Sequence, residues 1–338
     1  MSIVLTGGGT GGHLAIVESI KEQLKGEQLV YVGSSRGQDK KWFQGDENFV
    51  DSYFLDTKGV ANQGIFGKLA SIGWLMRSIW RAFKILGKHD AKVVFCVGGF
   101  SAAPASIAAI LRGIPLVIHE QNAHIGLLNR LLKPFAARFL SSYHSPTEAI
   151  AYPVKEIYFK QARVRKEIHA VIFLGGSGGA KAINELALEL APYLNSKGIS
   201  IIHQAGDKNT QEVQEAYRSL GIEAEVFGFT KELPRYIAMA DLAIARGGAS
   251  TLWELCASGL PAVFIPYPYA AGDHQYHNAK YLADKNLAWV IRQDEVTPQA
   301  LKEIIANPSL EEKSQQLIDT IEPNGSVAIA RILQEYSQ

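Results

Sequence analysis

The 338-residue chain has only two cysteines, Cys96 and Cys256, both in apolar surroundings. Two such thiols make neither a disulfide framework nor a metal knuckle, and they fit a reducing cytoplasm. No H-E-x-x-H, C-x-x-C or D-x-D pattern occurs, and His274 and His277 lack a third ligand nearby, so no metal site and no metal cofactor are expected. No stretch reaches the roughly 18 uncharged apolar residues of a spanning helix. The apolar start is four residues long and runs into glycines, so no secretory leader is expected either. Low-complexity segments and short repeats are missing. The remaining composition, 47% hydrophobic and 20% charged, is that of a globular chain long enough for two domains.

Acidic residues are also missing where basic ones gather. Residues 1–152 carry 16 Lys/Arg against 11 Asp/Glu, and the remainder 18 against 22, beneath a net charge of +1. The two halves should therefore meet different partners. Residues 57–89 hold six basic side chains and no acidic one, with Arg77, Arg81, Lys84 and Lys88 on one helical face. Ile72, Leu75, Met76, Ile79 and Phe83 supply an apolar face, with Trp74 and Trp80 nearby. Such a helix either rests on an anionic lipid surface or packs its apolar face on a sheet and turns its charges to water. No RNA-binding signature accompanies it, and no nucleic-acid partner is expected.

What is abundant is glycine at strand ends. Ile3–Leu5 is a short apolar run, followed by Gly7-Gly-Gly-Thr-Gly-Gly-His13 and by Leu14, Val17, Ile20 and Leu24 at helical spacing. Strand, tight turn and helix in that order open a βαβ unit whose helical N–H groups suit a phosphate. The turn is not a dinucleotide fingerprint, because Tyr31-Val-Gly-Ser-Ser35 stands where an acid should follow, and no Gly-Lys-Ser/Thr makes it a Walker loop.

Strand-like runs alternate with helical ones throughout: Leu29–Val32, Val93–Val97, Leu116–His119 and Phe139–Ser142, then Ala170–Leu174, Ser200–Gln204, Ala224–Phe227, Leu242–Ala245, Ala262–Ile265 and Ala288–Ile291. Two such series predict an α/β chain of two Rossmann-like doubly wound domains, joined near Tyr152-Pro-Val154. Val97-Gly98-Gly99-Phe100-Ser101 and Leu174-Gly-Gly-Ser-Gly-Gly179 repeat the strand-then-glycine arrangement. His119-Glu120-Gln121-Asn122 ends a strand with four polar residues that no core requires. Arg246-Gly-Gly-Ala-Ser-Thr251-Leu-Trp-Glu254 runs strand, glycines, helix. Thr251 and Glu254 are spaced as a capping box, or else the helix start faces a diphosphate and Glu254 accepts from ribose hydroxyls.

With these motifs in view the chain resembles, over nearly its whole length, the MurG-type N-acetylglucosaminyltransferases of bacterial peptidoglycan synthesis. The resemblance is carried by Gly8–His13, Gly98–Ser101, His119–Asn122, Gly175–Ser177, Gly247–Thr251 with Glu254, and Gln275-Tyr276 with Asn278. It implies a GT-B fold of two facing domains: an acceptor- and membrane-facing one over 1–154, a UDP-GlcNAc-binding one over 155–325, and a last helix, 326–338, crossing back onto the first. The implied reaction is inverting transfer of GlcNAc from UDP-GlcNAc to the C4 hydroxyl of MurNAc in undecaprenyl-diphospho-MurNAc-pentapeptide. Its place is the cytoplasmic face of the inner membrane, with other cell-wall synthesis proteins as further partners.

Carried over by position, the resemblance puts Thr10, Gly11, Gly12 and Asn122 at the donor sugar, Ser177 at its diphosphate, and Ala249, Ser250, Thr251, Leu252, Trp253 and Glu254 at diphosphate and ribose. Gln275 meets GlcNAc hydroxyls, and the backbone around Phe229-Thr230 reads uracil. Gly9, Gly98, Gly99 and Ser101 face the acceptor phosphate, and Trp74, Arg77, Trp80, Arg81 and Lys84 face the membrane. The resemblance does not settle the general base: His13 is the candidate, since a histidine titrates near neutrality, with Glu120 as its rival. Two departures stand out: Tyr152-Pro-Val-Lys155 replaces the common Asn-Pro-Val-Arg, and Gly178 replaces a glutamine. Lysine cannot clamp two oxygens at once as arginine does, so Lys155 offers the donor at most a single-point contact. Rival readings are a diacylglycerol glucosyltransferase-like enzyme, a UDP-GlcNAc 2-epimerase, which should need acids in its cleft, and a non-catalytic nucleotide-sugar sensor.

Overall fold

The computed structural model describes residues 1–56, 65–143, 148–176 and 178–337, and the side chains of these except 65–72 and 148–149. The chain divides into two compact units, Met1–Val154 with Asn324–Gln338, and Lys155–Pro323.

The first unit is built on seven strands: β1 (Ser2–Thr6), β2 (Leu29–Ser34), β3 (Asp51–Leu55), β4 (Ala91–Cys96), β5 (Leu116–Glu120), β6 (Arg138–Ser141) and β7 (Glu148–Ala149). They form one parallel sheet in the order β3-β2-β1-β4-β5-β6-β7. Every residue of β1 and β2 is buried, as continuous apolar runs covered by helices on both faces must be. Val4, Val30, Val94 and Ile118 pack with Ala82 and Leu86 of helix Ile65–Lys88 and with Ala105, Ala108 and Ala109 of helix Ala103–Arg112. Helix Gly325–Ser337 belongs to this unit and lies on helix Gly11–Gln23, where the Ser19 and Ser326 hydroxyls share a hydrogen bond and Leu333 is buried.

The second unit carries β8 (Ala170–Leu174), β9 (Ser200–Gln204), β10 (Glu225–Phe227), β11 (Leu242–Ala245), β12 (Ala262–Phe264) and β13 (Trp289–Val290). Their order is β10-β9-β8-β11-β12-β13, again parallel. Val171, Phe173, Ile201, Ile244 and Val263 pack with Ile183, Leu190 and Leu194 of helix Lys181–Ser196.

Strand order reverses between β1 and β4 in one sheet, and between β8 and β11 in the other. Crevices of open α/β sheets lie at such switch points, beyond the carboxyl ends of the strands. The four glycine turns follow β1, β4, β8 and β11. The sheets therefore deliver all four turns to the two places where ligands bind in this architecture.

Candidate active site

In the first unit the turns after β1 and β4 interlock. Gly99 has φ +79°, and a Cβ there would lie 2.7 Å from the Gly8 carbonyl oxygen, so only glycine lets the two backbones meet. The His13 ring lies beside the same position, 3.6 Å away. Thr10 is the N-cap of helix Gly11–Gln23, yet its hydroxyl caps no backbone N–H. It bonds instead to His13 Nδ1 at 2.8 Å. No acidic residue stands in the first turn, which leaves the positive helix end without an internal counter-charge.

The segment after β5 completes the cluster. Gln121 Nε2 lies 2.9 Å from His13 Nε2. His119 is fully buried, its ring edge-on to Tyr152, and burial, then the nearby His13, lowers its pKa to about 3. Polar residues at a strand end are expected to face a ligand, but His119, Glu120 and Gln121 all lie inside the protein. Glu120 Oε1 accepts from the Asn122 N–H at 2.9 Å, and Oε2 from Gly126 N–H and Asn129 Nδ2, each at 2.9 Å. Glu120 thus shapes the following loop, its carboxylate turned to Asn122, Gly126 and Asn129. Gly9 and Ser101 also differ from expectation. The Gly9 N–H is spent on the buried carboxylate of Asp39, and the Ser101 side chain is fully buried with its hydroxyl unpartnered. Asp39, with no counterpart in the motif reading, is the brace of this turn.

In the second unit the turn after β11 is held from beneath. Asn278 Nδ2 donates to the Gly247 carbonyl at 3.1 Å, and a Cβ on Gly247 would strike the Gln275 carbonyl. Helix Ala249–Ala257 starts on Gly248 with no side-chain cap and no acid in its first turn. That corrects the capping-box reading: Thr251 is the third helical residue and does not occupy the cap. Leu252 and Trp253 are buried at 0% and 3%, so their side chains belong to the core and not to a donor site. Gln275 Oε1 accepts from the Tyr267 N–H at 2.9 Å, so its carbonyl end is spent on the loop that follows β12. Phe229 N–H donates to Asp207 Oδ1, and the Thr230 hydroxyl accepts from Glu232 N–H. Ser177 lies outside the described residues.

Glu254 sits one turn into this helix. The residue is half-buried, and loss of water around its carboxyl pushes its pKa up to about 8 against the opposing pull of Lys155 and of the Tyr158 hydroxyl bonded to it. Tyr158, buried on the short helix Glu156–Lys160, is raised well above the usual phenol range by burial and by this carboxyl. Lys155 therefore lies within electrostatic reach of Glu254. Among the described residues no three His, Cys, Asp or Glu side chains gather as a metal would need.

Residues 3–141 match the glycosyltransferase family 28 N-terminal domain, and residues 170–328 match the glycosyltransferase family 28 C-terminal domain. The chain belongs to glycosyltransferase family 28. A Sulfurovum relative, 56% identical over all of both chains, is named a UDP-N-acetylglucosamine–N-acetylmuramyl-(pentapeptide) pyrophosphoryl-undecaprenol N-acetylglucosamine transferase. A Wolinella succinogenes relative of the same name is 51% identical over 94% of this chain and 95% of its own. Among solved structures, Acinetobacter baumannii MurG superposes with a TM-score of 0.79 at 28% identity over 99% of each chain. A UDP-N-acetylglucosamine 2-epimerase reaches 0.66 at 10% identity, over 99% of this chain and 97% of its own, a likeness of fold alone.

In this family 28 glycosyltransferase the basic helix Ile65–Lys88 is two-sided. Ser78, Ile79, Ala82, Ile85 and Leu86 are buried. Trp74, Met76 and Trp80 are exposed beside exposed Arg77, Arg81 and Lys84. Met76, expected on the packed face, instead points outward. Ile72 and the start of the basic run lie outside the residues whose side chains are described. Leu127, Leu131 and Phe135 are a further exposed apolar group, more than 60% open, flanked by Arg130 and Lys133. No helix among the described residues is long and apolar enough to cross a membrane.

Proposed function

We propose that this enzyme transfers N-acetylglucosamine from UDP-GlcNAc to the C4 hydroxyl of MurNAc in undecaprenyl-diphospho-MurNAc-pentapeptide, with inversion at the anomeric carbon. The observation that carries the reading is full-length identity with relatives named for that transfer, together with the motif residues standing at the two switch points. His13 takes the proton of the attacking hydroxyl. As the new bond forms between the C4 oxygen and C1 of GlcNAc, the bond from C1 to the phosphate oxygen breaks, and its electron pair leaves with UDP. Attack from the face opposite the leaving group inverts C1.

The departing diphosphate gains negative charge that must be met by fixed donors. The starts of helix Ala249–Ala257 and helix Lys181–Ser196, with Ser177, are assigned to it. Each helix end contributes about 0.3–1 kcal/mol when exposed and up to ~2 when partly buried, so several must act together. Glu254 is assigned to the ribose, the Phe229-Thr230 backbone to uracil, Gln275 and Asn122 to the sugar, and the Thr10–Gly12 helix start with Gly98 and Gly99 to sugar and acceptor phosphate. Exposed Trp74, Met76 and Trp80 among Arg77, Arg81 and Lys84 suit an anionic membrane surface, which is where a lipid-linked acceptor is presented.

The test is release of UDP from UDP-GlcNAc by purified enzyme. Release is expected only with the lipid-linked MurNAc acceptor. Equal release with diacylglycerol overturns this reading in favour of a different lipid acceptor, and donor binding without release points to a sensor.

A further inference from the structure

The first-unit site contains one contact that the transfer reaction does not by itself require. Gln121 is 6% exposed, and its amide nitrogen stands 2.9 Å from His13 Nε2, while Thr10 Oγ1 stands 2.8 Å from Nδ1. An amide nitrogen can only donate, so Nε2 must present its lone pair, and the ring proton must lie on Nδ1, where the threonine oxygen accepts it. The reverse amide orientation is disfavoured by burial. Gln121 Oε1 is buried without a partner, and turning the amide over would put two unsatisfied N–H donors where one unsatisfied acceptor now lies. His119, the other imidazole close to His13, is fully buried with neither ring nitrogen partnered, so it does not donate to the His13 ring.

We propose that Gln121 is the positioning residue of His13: its amide holds Nε2 bare and the proton on Nδ1, the tautomer a base must have before the acceptor arrives. Thr10 secures the other end, which explains why this N-cap hydroxyl is spent on a side chain instead of the helix. The hydroxyl of the acceptor then takes the place of the Gln121 N–H at Nε2. This proposal rests on the reading of His13 as proton acceptor only for its effect on turnover; the tautomer itself is a property of the unliganded protein.

Side-chain nitrogen NMR of the full-length protein labelled with ¹⁵N-histidine reads the tautomer directly, with His13→Asn assigning the signal. The wild type is expected to show Nδ1–H with Nε2 unprotonated; a proton on Nε2 overturns the proposal. Gln121→Met removes the donor and is expected to give mixed tautomers. Gln121→Glu offers an acceptor and is expected to draw the proton to Nε2. Either variant suffices if the other does not fold, and an unchanged tautomer in a folded variant overturns the proposal. In turnover, kcat is expected to fall ~10-fold or more while the KM for UDP-GlcNAc stays within about twofold. A tautomer that follows Gln121 while kcat does not move supports the positioning and removes His13 from the chemistry, so the two readings fail separately.

Discussion

The Arg165 guanidinium donates to the carbonyl of Ser258, the residue that closes helix Ala249–Ala257. The same group donates to Arg163 O at 2.8 Å and to Ala240 O and Ile237 O at 3.2 Å, the latter two at the end of helix Leu233–Met239. A wholly buried arginine thus satisfies the last carbonyls of two helices, one of which begins at the proposed donor turn. Arg165→Met keeps the bulk but orphans those carbonyls, and is expected to cost roughly 3–5 kcal/mol, read as a lower denaturant midpoint at unchanged slope. Arg165→Lys should rescue little, because one ammonium cannot span the same fork. A methionine variant within about 1 kcal/mol of wild type contradicts this account.

Glu254 gives a pH dependence whose sign is fixed. Its folded pKa is raised to about 8 from an ordinary 4.5, chiefly by burial. Above 4.5 the unfolded chain ionises this carboxyl while the folded one keeps its proton. The stability tied to the protonated form is complete below 4.5 and is lost as pH climbs through 8. Glu254→Gln should therefore gain on wild type between pH 5 and 9, by roughly 2–5 kcal/mol across the window, in urea melts of the unliganded protein. The same variant should bind UDP more weakly if Glu254 meets the ribose. A stability difference flat with pH would show the carboxyl to be ionised throughout.

Asp39 provides the counterpart test in the first unit. Its Oδ2 accepts Gly9 N–H at 2.7 Å, and its Oδ1 accepts Ser34 N–H at 2.8 Å and faces the Tyr31 hydroxyl at 3.0 Å. Asp39→Asn turns one acceptor into a donor opposite an N–H, so it should be nearly as damaging as Asp39→Ala. Each is expected to cost about 2–3 kcal/mol by thermal or urea melts and to lower kcat/KM, since the turn that carries Thr10 and His13 loses its brace. Full stability in Asp39→Asn would mean that the carboxylate is not needed there.

These tests also mark where sequence reading reaches and where it stops. The glycine turns were legible because strand, turn and helix lie within a dozen residues, and the two-sheet alternation because buried parallel strands are continuous apolar runs. Strand β3 escaped notice: Asp51-Ser-Tyr-Phe-Leu55 is a half-buried edge strand beginning with a charge, so it shows no such run. The contacts that set the site were not legible, because they join residues far apart in the chain. Asp39 meets Gly9 across 30 positions, and Gln121 meets His13 across 108. Local spacing misled once: Thr251 and Glu254 match a capping box only if Thr251 is the N-cap, and the N-cap is Gly248, three residues earlier.

Membrane contact is the remaining prediction, and burial separates its two ingredients. Because Ile79, Ala82, Ile85 and Leu86 already occupy the inner face of helix Ile65–Lys88, the outward Trp80, 58% exposed, and Met76, 61% exposed, lie off that face, where the Trp80 ring stacks on the half-buried Phe83. Lys84 lies 5.2 Å from the Trp80 ring centre, so charge and aromatic surface are presented together. Reversing Arg77 and Arg81 to glutamate should reduce sedimentation with anionic vesicles by about 1 kcal/mol per charge removed, and more for outright reversal, with an effect that fades as salt rises. Trp80→Ser should weaken binding to neutral and anionic vesicles alike, since the loss is apolar area. Melting temperatures should stay close to wild type in both variants, because neither touches the buried face. Vesicle binding unchanged by both substitutions would return this helix to the role of plain solvated surface, and shift the lipid contact to Leu127, Leu131 and Phe135.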